Sequence, residues 1–262
     1  MRLRLLLIDA LNLIRRVYAA QPGEDGPERA DGARTSSLQS LVRGLREAKP
    51  THVVCVFDGG GPSWRHALLP DYKAGHKPMP EALADALGSY REAFREVGVD
   101  SFSKAGLEAD DVIGTIARKA VVAGSAVTVL STDKIFLGLL AADVRIRDHF
   151  KGVDAREEDV VARFGVRSEQ LADLLALAGD HGNNIAGIPG IGAKTAADLL
   201  GRFGSLEAVL AASDEIPGKL GERLRESAAT ARLCRVLVGL RTDLDLGINL
   251  SDFRYLPTPG RE

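Results

Sequence analysis

Three short apolar runs each end in an aspartate: Asp9 in LLLIDALN, Asp58 in VCVFDGGG and Asp133 in VLSTDK. A further group, Glu108, Asp110 and Asp111, lies in GLEADDVIGTIA at the start of a helical pattern. One acid after a strand is an ordinary cap or turn residue. Three after three strands point to a shared acidic pocket, because parallel strands deliver their carboxyl ends to one edge of a sheet. Crowded carboxylates repel one another unless a cation neutralises them, and hard oxygen ligands without His or Cys suit Mg²⁺ or Mn²⁺. Such an ion acidifies water and offsets charge on phosphoryl oxygens, so the implied chemistry is hydrolysis or transfer at phosphorus. Adjacent Asp110 and Asp111 project about 100° apart on a helix and can address two points of that pocket.

Two other segments carry candidate anion contacts. From Pro62 to Pro80, Arg65, Lys73 and Lys77 face only Asp71, a local excess of two positive charges, with His66 and His76 in addition. Trp64 and Tyr72 are interleaved with these cations, a composition that stacks bases and contacts phosphates. Further on, GIPGIGAKT spans Gly187 to Thr195. It fails as a phosphate loop of the Walker type, since Ala193 separates Gly192 from Lys194 and no apolar strand precedes it. It fails as a dinucleotide fingerprint because Thr195 takes the place of the third glycine. A helix-hairpin-helix fits: a helix through Ala178, a glycine turn with two inward apolar residues, and a second helix from Ala193. Its turn amides and helix N-terminus would grip a phosphate, with Lys194 and Thr195 adding contacts.

The elements that must position these groups follow from the apolar periodicity. Runs at 3–8, 53–57 and 127–130 show little alternation, as expected for parallel strands buried on both faces. Helical patterns at 37–48, 81–97 and 110–123 separate them, so the first part reads as a doubly wound α/β layer. The segment 21–35, rich in Gly, Pro and charge, reads as a mobile surface loop. From about residue 157 the strands stop and helices joined by Gly or Pro turns take over. The division expected is an α/β domain over 1–156 and a helical region over 157–262, with the hairpin motif at about 170–205.

Composition bounds the rest. The chain has 262 residues, 45% of them apolar and 27% charged, with a net charge of −2. No apolar run approaches the roughly 20 residues of a membrane span, and no signal segment is evident, which predicts a cytoplasmic protein without membrane association. Cys55 and Cys234 both sit in apolar stretches and read as buried thiols rather than as a disulfide. Near-neutral charge means that any nucleic-acid contact must be local.

The ordered motifs LLLIDALNLIRR, VFDGGGPSWRHALLPDYKAG, EADDVIGTIA, STDK and GIPGIGAKTAADLL resemble the flap endonuclease and 5′–3′ exonuclease family, over residues 3 to 244. DALNLIRR and the LPDYKAG run are most similar to its stand-alone bacterial branch, the exonuclease IX type. The resemblance implies a PIN-like nuclease domain with a helical arch at about 62–95, then a helix-hairpin-helix region. It implies a Mg²⁺- or Mn²⁺-dependent phosphodiesterase acting on branched or 5′-flap DNA in replication or repair, working as a monomer. Asp9, Asp58, Glu108 and Asp110 would serve the first metal, and Asp111, Asp133 and Asp180 the second. Arg65 and Lys73 would meet the scissile phosphate, with Asp110 in the catalytic group and Tyr72 beside them on the DNA. K⁺ would sit on the carbonyls of Leu177, Ala178, Ala186, Ile188 and Ile191, and Gly190, Ile191, Gly192, Ala193, Lys194 and Thr195 would contact the duplex. Ile135 and Asn183 stand where this family usually carries further acids, which weakens the second metal site, and His76 replaces a usual Arg. The alternative is a structure-specific DNA-binding homologue that has lost cleavage. A phosphatase of the haloacid dehalogenase type is disfavoured, because Leu11 occupies the position of its second acid.

Overall fold

A computed structural model describes residues 2–256; Met1 and residues 257–262, the two ends of the expected division, lie outside the described residues. Six strands form one sheet: β1 (Arg4–Asp9), β2 (His52–Val56), β3 (Ser101–Phe102), β4 (Ala126–Leu130), β5 (Val144–Asp148) and β6 (Val153–Asp154). Their order is β3-β2-β1-β4-β5-β6, parallel except for the antiparallel β5–β6 pair. Chain order reverses between β2 and β4, the two neighbours of β1, and the crevice outside such a switch point is where ligands gather. Asp9 ends β1 there, with Asp58 two residues beyond β2 and Asp133 three beyond β4.

Strand β1 shows why its sequence does not alternate. Leu6 and Ile8 enter a core formed with α1 (Ala10–Ala20), α2 (Pro27–Ala48) and α4 (Glu81–Glu96). Leu5 and Leu7 face the opposite way, into a core with α5 (Ala109–Val122). Both faces are dry, so the positions from Leu5 to Ile8 are all apolar. Between β2 and α4 the chain forms only the short helix α3 (Trp64–Leu68) and a series of turns. The expected arch is therefore a compact segment, and its second half, α4, packs Leu83, Tyr90 and Phe94 into the core.

The expected loop over 21–35 is corrected in its second half: α2 begins at Pro27 and runs for 22 residues. Proline suits the first helical turn, where an amide has no partner to lose. The small residues Ala30, Ala33, Ser37, Ser40 and Gly44 then make a narrow buried face at helical spacing, which lets the helix pack closely despite its polar average.

The second half of the chain holds α6 (Glu157–Phe164), α7 (Leu171–Ala178), α8 (Ala193–Phe203), α9 (Leu206–Ala211), α10 (Lys219–Glu226) and α11 (Ala228–Val238) around their own core. The chain then returns to the sheet. Lys119 Nζ donates to Leu244 O at 2.8 Å and Tyr255 N to Thr51 O at 2.9 Å, while Leu244, Leu246 and Phe253 join the α5-side core. The helical half is thus tied to the α/β layer at both ends. No helix among the described residues is long and apolar enough to cross a membrane.

Candidate active site and hairpin

Strand ends and helix starts are the same residues at the sheet's carboxyl edge. Asp9 caps α1, with Oδ1 accepting from Asn12 N at 3.1 Å and Oδ2 from Ser131 Oγ at 2.9 Å. Asp58 Oδ1 accepts from Ala109 N at 2.7 Å at the start of α5, and Asp133 Oδ1 from Ile135 N at 2.9 Å. Asn12 Oδ1 completes the edge by accepting from Thr132 N and Oγ1 at 3.0 and 2.9 Å. Burial pushes the Asp9 carboxyl up to about 7, with the Asp133 and Asp58 charges adding to the rise. Asp110 is likewise raised well above the ordinary aspartate value, first by burial and then by Asp9 and Asp133. Asp9, Asp58, Asp110 and Asp133 therefore form one pocket whose charge the protein leaves uncompensated, as expected of a cation site. Among the described residues no three His, Cys, Asp or Glu side chains are set to hold a metal directly.

Glu108, one residue before α5, has the opposite environment. Its Oε1 accepts from Ser63 Oγ at 2.6 Å and Arg65 Nη1 at 3.0 Å; its Oε2 accepts from Lys73 Nζ at 2.5 Å and Tyr72 OH at 3.3 Å. Burial alone would raise this carboxyl, but Lys73 and Arg65 outweigh it and hold it at about 2. Both oxygens are engaged, so Glu108 anchors cations at the pocket wall and does not face a metal directly.

Three expected roles are corrected by burial. Asp111 is fully buried: Arg65 grips both its oxygens at 2.7 and 2.9 Å, Trp64 Nε1 donates at 2.8 Å and Arg241 N at 2.9 Å. It is a structural counter-ion and contributes nothing to the pocket. Arg65 is 1% exposed, and its remaining donors go to Leu237 O and Gly239 O at 2.8 Å each, so it does not reach a substrate phosphate. Tyr72 is buried against the helical core, with Lys73 Nζ 5.1 Å from its ring, while Arg65 lies 4.5 Å from the Trp64 ring. The aromatic and basic residues of this segment are interleaved because they stack on one another inside the protein.

Lys73 alone of the expected arch cations stands at the pocket rim, half-buried, with a positive φ of 58°. Its segment is pinned to the turn after α7: Lys73 N donates to Asn183 O at 3.1 Å and Asn184 Nδ2 to Asp71 O at 2.8 Å, and His76 Nε2 lies 2.8 Å from Gly182 O. Asp180, expected at the second metal, has Lys134 Nζ at 2.7 Å and Asn183 Nδ2 at 2.7 Å on its two oxygens. The Lys134 ammonium supplies the positive charge there. Lys134, Ser131, Asn12 and Ser63 were not singled out from sequence, although Ser131 and Lys134 lie within the STDK motif.

The hairpin follows its sequence closely. Ile188 O accepts from Ile191 N at 3.0 Å across Pro189-Gly190, with Gly190 at φ 75°, a turn that needs glycine at its third position. Ile188 and Ile191 are buried, so Ile191 offers an external contact only its backbone, while Gly190, Gly192, Ala193 and Lys194 are exposed and Thr195 is half-buried. No side chain caps the start of α8, which leaves its first-turn amides free for an anion. Behind the turn the two strands of chain nearly touch: a Cβ on Gly187 would lie 2.3 Å from Gly179 N, and one on Gly179 2.6 Å from Ala186 O. This close crossing packs the main chain at 178–179 directly against that at 185–187.

A profile for the 5′–3′ exonuclease N-terminal resolvase-like domain matches residues 4–165, and one for the 5′–3′ exonuclease C-terminal SAM fold matches 166–259. The chain belongs to the 5′–3′ exonuclease family. Flap endonuclease Xni of Aliivibrio salmonicida is 43% identical over 257 residues, covering 97% of this chain and 98% of that protein. The protein of the same name from Shewanella loihica is 45% identical over 255 residues, covering 96% of each. Among solved structures, the bacteriophage T5 D15 flap endonuclease in a pseudo-enzyme-product complex with DNA and metal ions superposes with TM-score 0.74, at 25% identity, covering 91% of this chain and 90% of that one. The catalytic core of Rad2 with DNA substrate shares the fold, with TM-score 0.59 at 13% identity, covering 98% of this chain and 83% of that one.

Two predictions follow from the opposed carboxylates. Arg65→Ala should lower unfolding free energy by about 3–5 kcal/mol, because it leaves the buried Asp111 carboxylate without a cation and takes one of two from Glu108. Denaturant titration measures this, and a loss below about 1 kcal/mol would contradict the assigned pairing. The second concerns pH. Raising the Asp9 carboxyl from 3.8 to about 7 makes its ionisation destabilising: the penalty is absent below about pH 4 and complete above pH 7. Glu108 acts in the other sense, giving stability above its unfolded value of 4.5 that is lost as pH falls towards 2. Because a cation competes with protons for the pocket, Mg²⁺ should raise the melting temperature more at pH 8 than at pH 6. Equal shifts at both values would remove Asp9 from the cation site.

Proposed function

We propose that this chain is a divalent-metal-dependent flap endonuclease that hydrolyses phosphodiesters near the 5′ single-strand/duplex junction of branched DNA, in replication or repair. The observation that carries this reading is the uncompensated pocket of Asp9, Asp58, Asp110 and Asp133, with Lys73 at its rim on a segment hydrogen-bonded to the 181–184 turn that leads into the hairpin. The names of its close relatives and the DNA and metal ions in the T5 enzyme complex support it. One chain carries pocket, basic rim and hairpin, which supports action as a monomer; we also infer that it works in the cytoplasm, where its two buried thiols stay reduced.

Asp9 and Asp110 would hold Mg²⁺ or Mn²⁺, directly or through water, with Asp58 and Asp133 completing the negative field. When bound, such an ion acidifies water and offsets charge on the phosphoryl oxygens. Ser131 and Asn12 fix the Asp9 carboxylate and the strand end beside it. The Lys73 ammonium, held charged by Glu108 against the opposing effect of burial, presents a cation to the substrate phosphate. Arg65 works through Glu108 and Asp111 as a positioning residue. At the hairpin, the amides of 192–195 and Lys194 would grip the duplex backbone without reading its sequence, with K⁺ on the main-chain carbonyls of Leu177, Ala178, Ala186, Ile188 and Ile191.

A labelled 5′-flap duplex with Mg²⁺ or Mn²⁺ tests the reading. Wild type should cleave near the junction, and Asp110→Ala should bind with comparable affinity while losing at least two orders of magnitude in rate. Binding without cleavage by wild type would favour the DNA-binding alternative. For the hairpin, duplex affinity should fall when K⁺ is exchanged for an organic cation at equal ionic strength, and an unchanged affinity would reject the alkali ion.

A further inference from the structure

The backbone at Lys73 is held by a turn distant from it in sequence. Lys73 sits in the left-handed region at φ 58°, a conformation that a lysine keeps only where its surroundings fix it. Its amide donates to the main-chain carbonyl of Asn183 at 3.1 Å. Two flanking contacts join the same segments: Asn184 Nδ2 donates to Asp71 O at 2.8 Å, and His76 Nε2 lies 2.8 Å from Gly182 O.

The turn is itself tied down. Asp180 N donates to Ile185 O at 2.8 Å and Ile185 N to Asp180 O at 3.0 Å, which closes its base. The half-buried Asn183 side chain makes the other tie: Nδ2 donates at 2.7 Å to Oδ2 of the buried Asp180, whose Oδ1 accepts from Lys134 Nζ at 2.7 Å. Lys134 directly follows Asp133, an acid of the pocket. A continuous series of bonds thus runs from the pocket edge through Lys134, Asp180 and Asn183 to the amide of Lys73. One cation and one carboxylate balance along it, so the remaining partner of Asp180 has to be a neutral donor. An aspartate at this position would have the same shape, but no N–H to give and a second negative charge against Asp180.

We propose that Asn183 is a positioning residue for cleavage. Its side chain fixes the turn against Asp180, and its carbonyl fixes the backbone from which the Lys73 ammonium reaches the substrate phosphate. Asn183 acts through Lys73, so the role rests on the flap endonuclease reading and on Lys73 as a phosphate contact. A shift of about 1 Å in a group that meets the reacting phosphate can cost on the order of 100-fold in rate. Affinity for the duplex rests on many backbone contacts elsewhere and is far less sensitive to that shift.

Single-turnover cleavage of a labelled 5′-flap duplex in Mg²⁺, followed long enough to measure slow variants, is compared with affinity from fluorescence anisotropy in EDTA. Asn183→Ala removes the amide without adding charge and should slow cleavage about tenfold, with affinity within about twofold of wild type. N183D, which matches Asn183 in shape, should be slowed at least as much. In a Lys73→Ala background, Asn183→Ala should cost less than about twofold more, because residues that act as a unit do not add. Thermal melts establish that each variant is folded. A full tenfold loss on top of Lys73→Ala would mean that Asn183 acts on the fold at large, and would overturn the role. So would a wild-type rate in Asn183→Ala, or an N183D faster than wild type, which would mean that the site works better with an acid there. If wild type cleaves and Lys73→Ala cleaves equally well, the phosphate contact and the role of Asn183 fall while the flap endonuclease reading stands. Binding without cleavage by wild type would overturn that reading and the role together.

Discussion

One buried guanidinium holds the site in shape. Arg65, on the five-residue helix α3, donates to Asp111 and Glu108 at the start of α5 and to the carbonyls of Leu237 and Gly239 at the end of α11. Three parts of the chain far apart in sequence meet at this one group. The attraction of such a buried cluster is largely offset by desolvation, so its net gift to stability is small, while the loss of one partner is costly. Its effect is geometric: it decides which way α5 turns its acids, and it fixes the wall on which Lys73 and Glu108 stand.

That decision divides the carboxylates into two populations. Glu108 and Asp111 have internal cations, and Glu108 is held at about 2. Asp9 and Asp110 have none close enough to offset burial and mutual repulsion, and both are raised. Neighbouring groups with opposed shifts separate structural from functional acids, and the ones left unsatisfied mark where an external charge is wanted. The net charge of −2 conceals this, because the sum over the chain averages a negative pocket against cations elsewhere, Lys73 at its rim among them.

The parts legible from sequence were those set by local rules. Apolar runs ending in Asp identified β1, β2 and β4, and the IPGI turn with its flanking glycines gave the hairpin. Short or half-exposed elements were not legible: β3 and β6 have two residues each, and β5 is an outer strand whose pattern alternates. The helix from Pro27 was masked by Gly and charge, since its small buried face has no strong apolar signal. Trp64 and Tyr72 misled for a physical reason: cations next to aromatics look alike whether the stacking partner is a base or a neighbouring Arg or Lys.

By itself, then, the sequence determined the chemistry available, because strand ends in a parallel sheet share an edge whatever else the chain does. It placed Asp9, Asp58 and Asp133 there, and the acids of α5 beside them. Only the tertiary structure decided which acids remain free. Asp110 and Asp111 are adjacent and identical in kind, yet one faces the pocket and the other is saturated by Arg65, 46 positions away. Nothing local distinguishes them, since an ionisable group's role is set by its desolvation and by the charges folded against it, and both are properties of long-range packing.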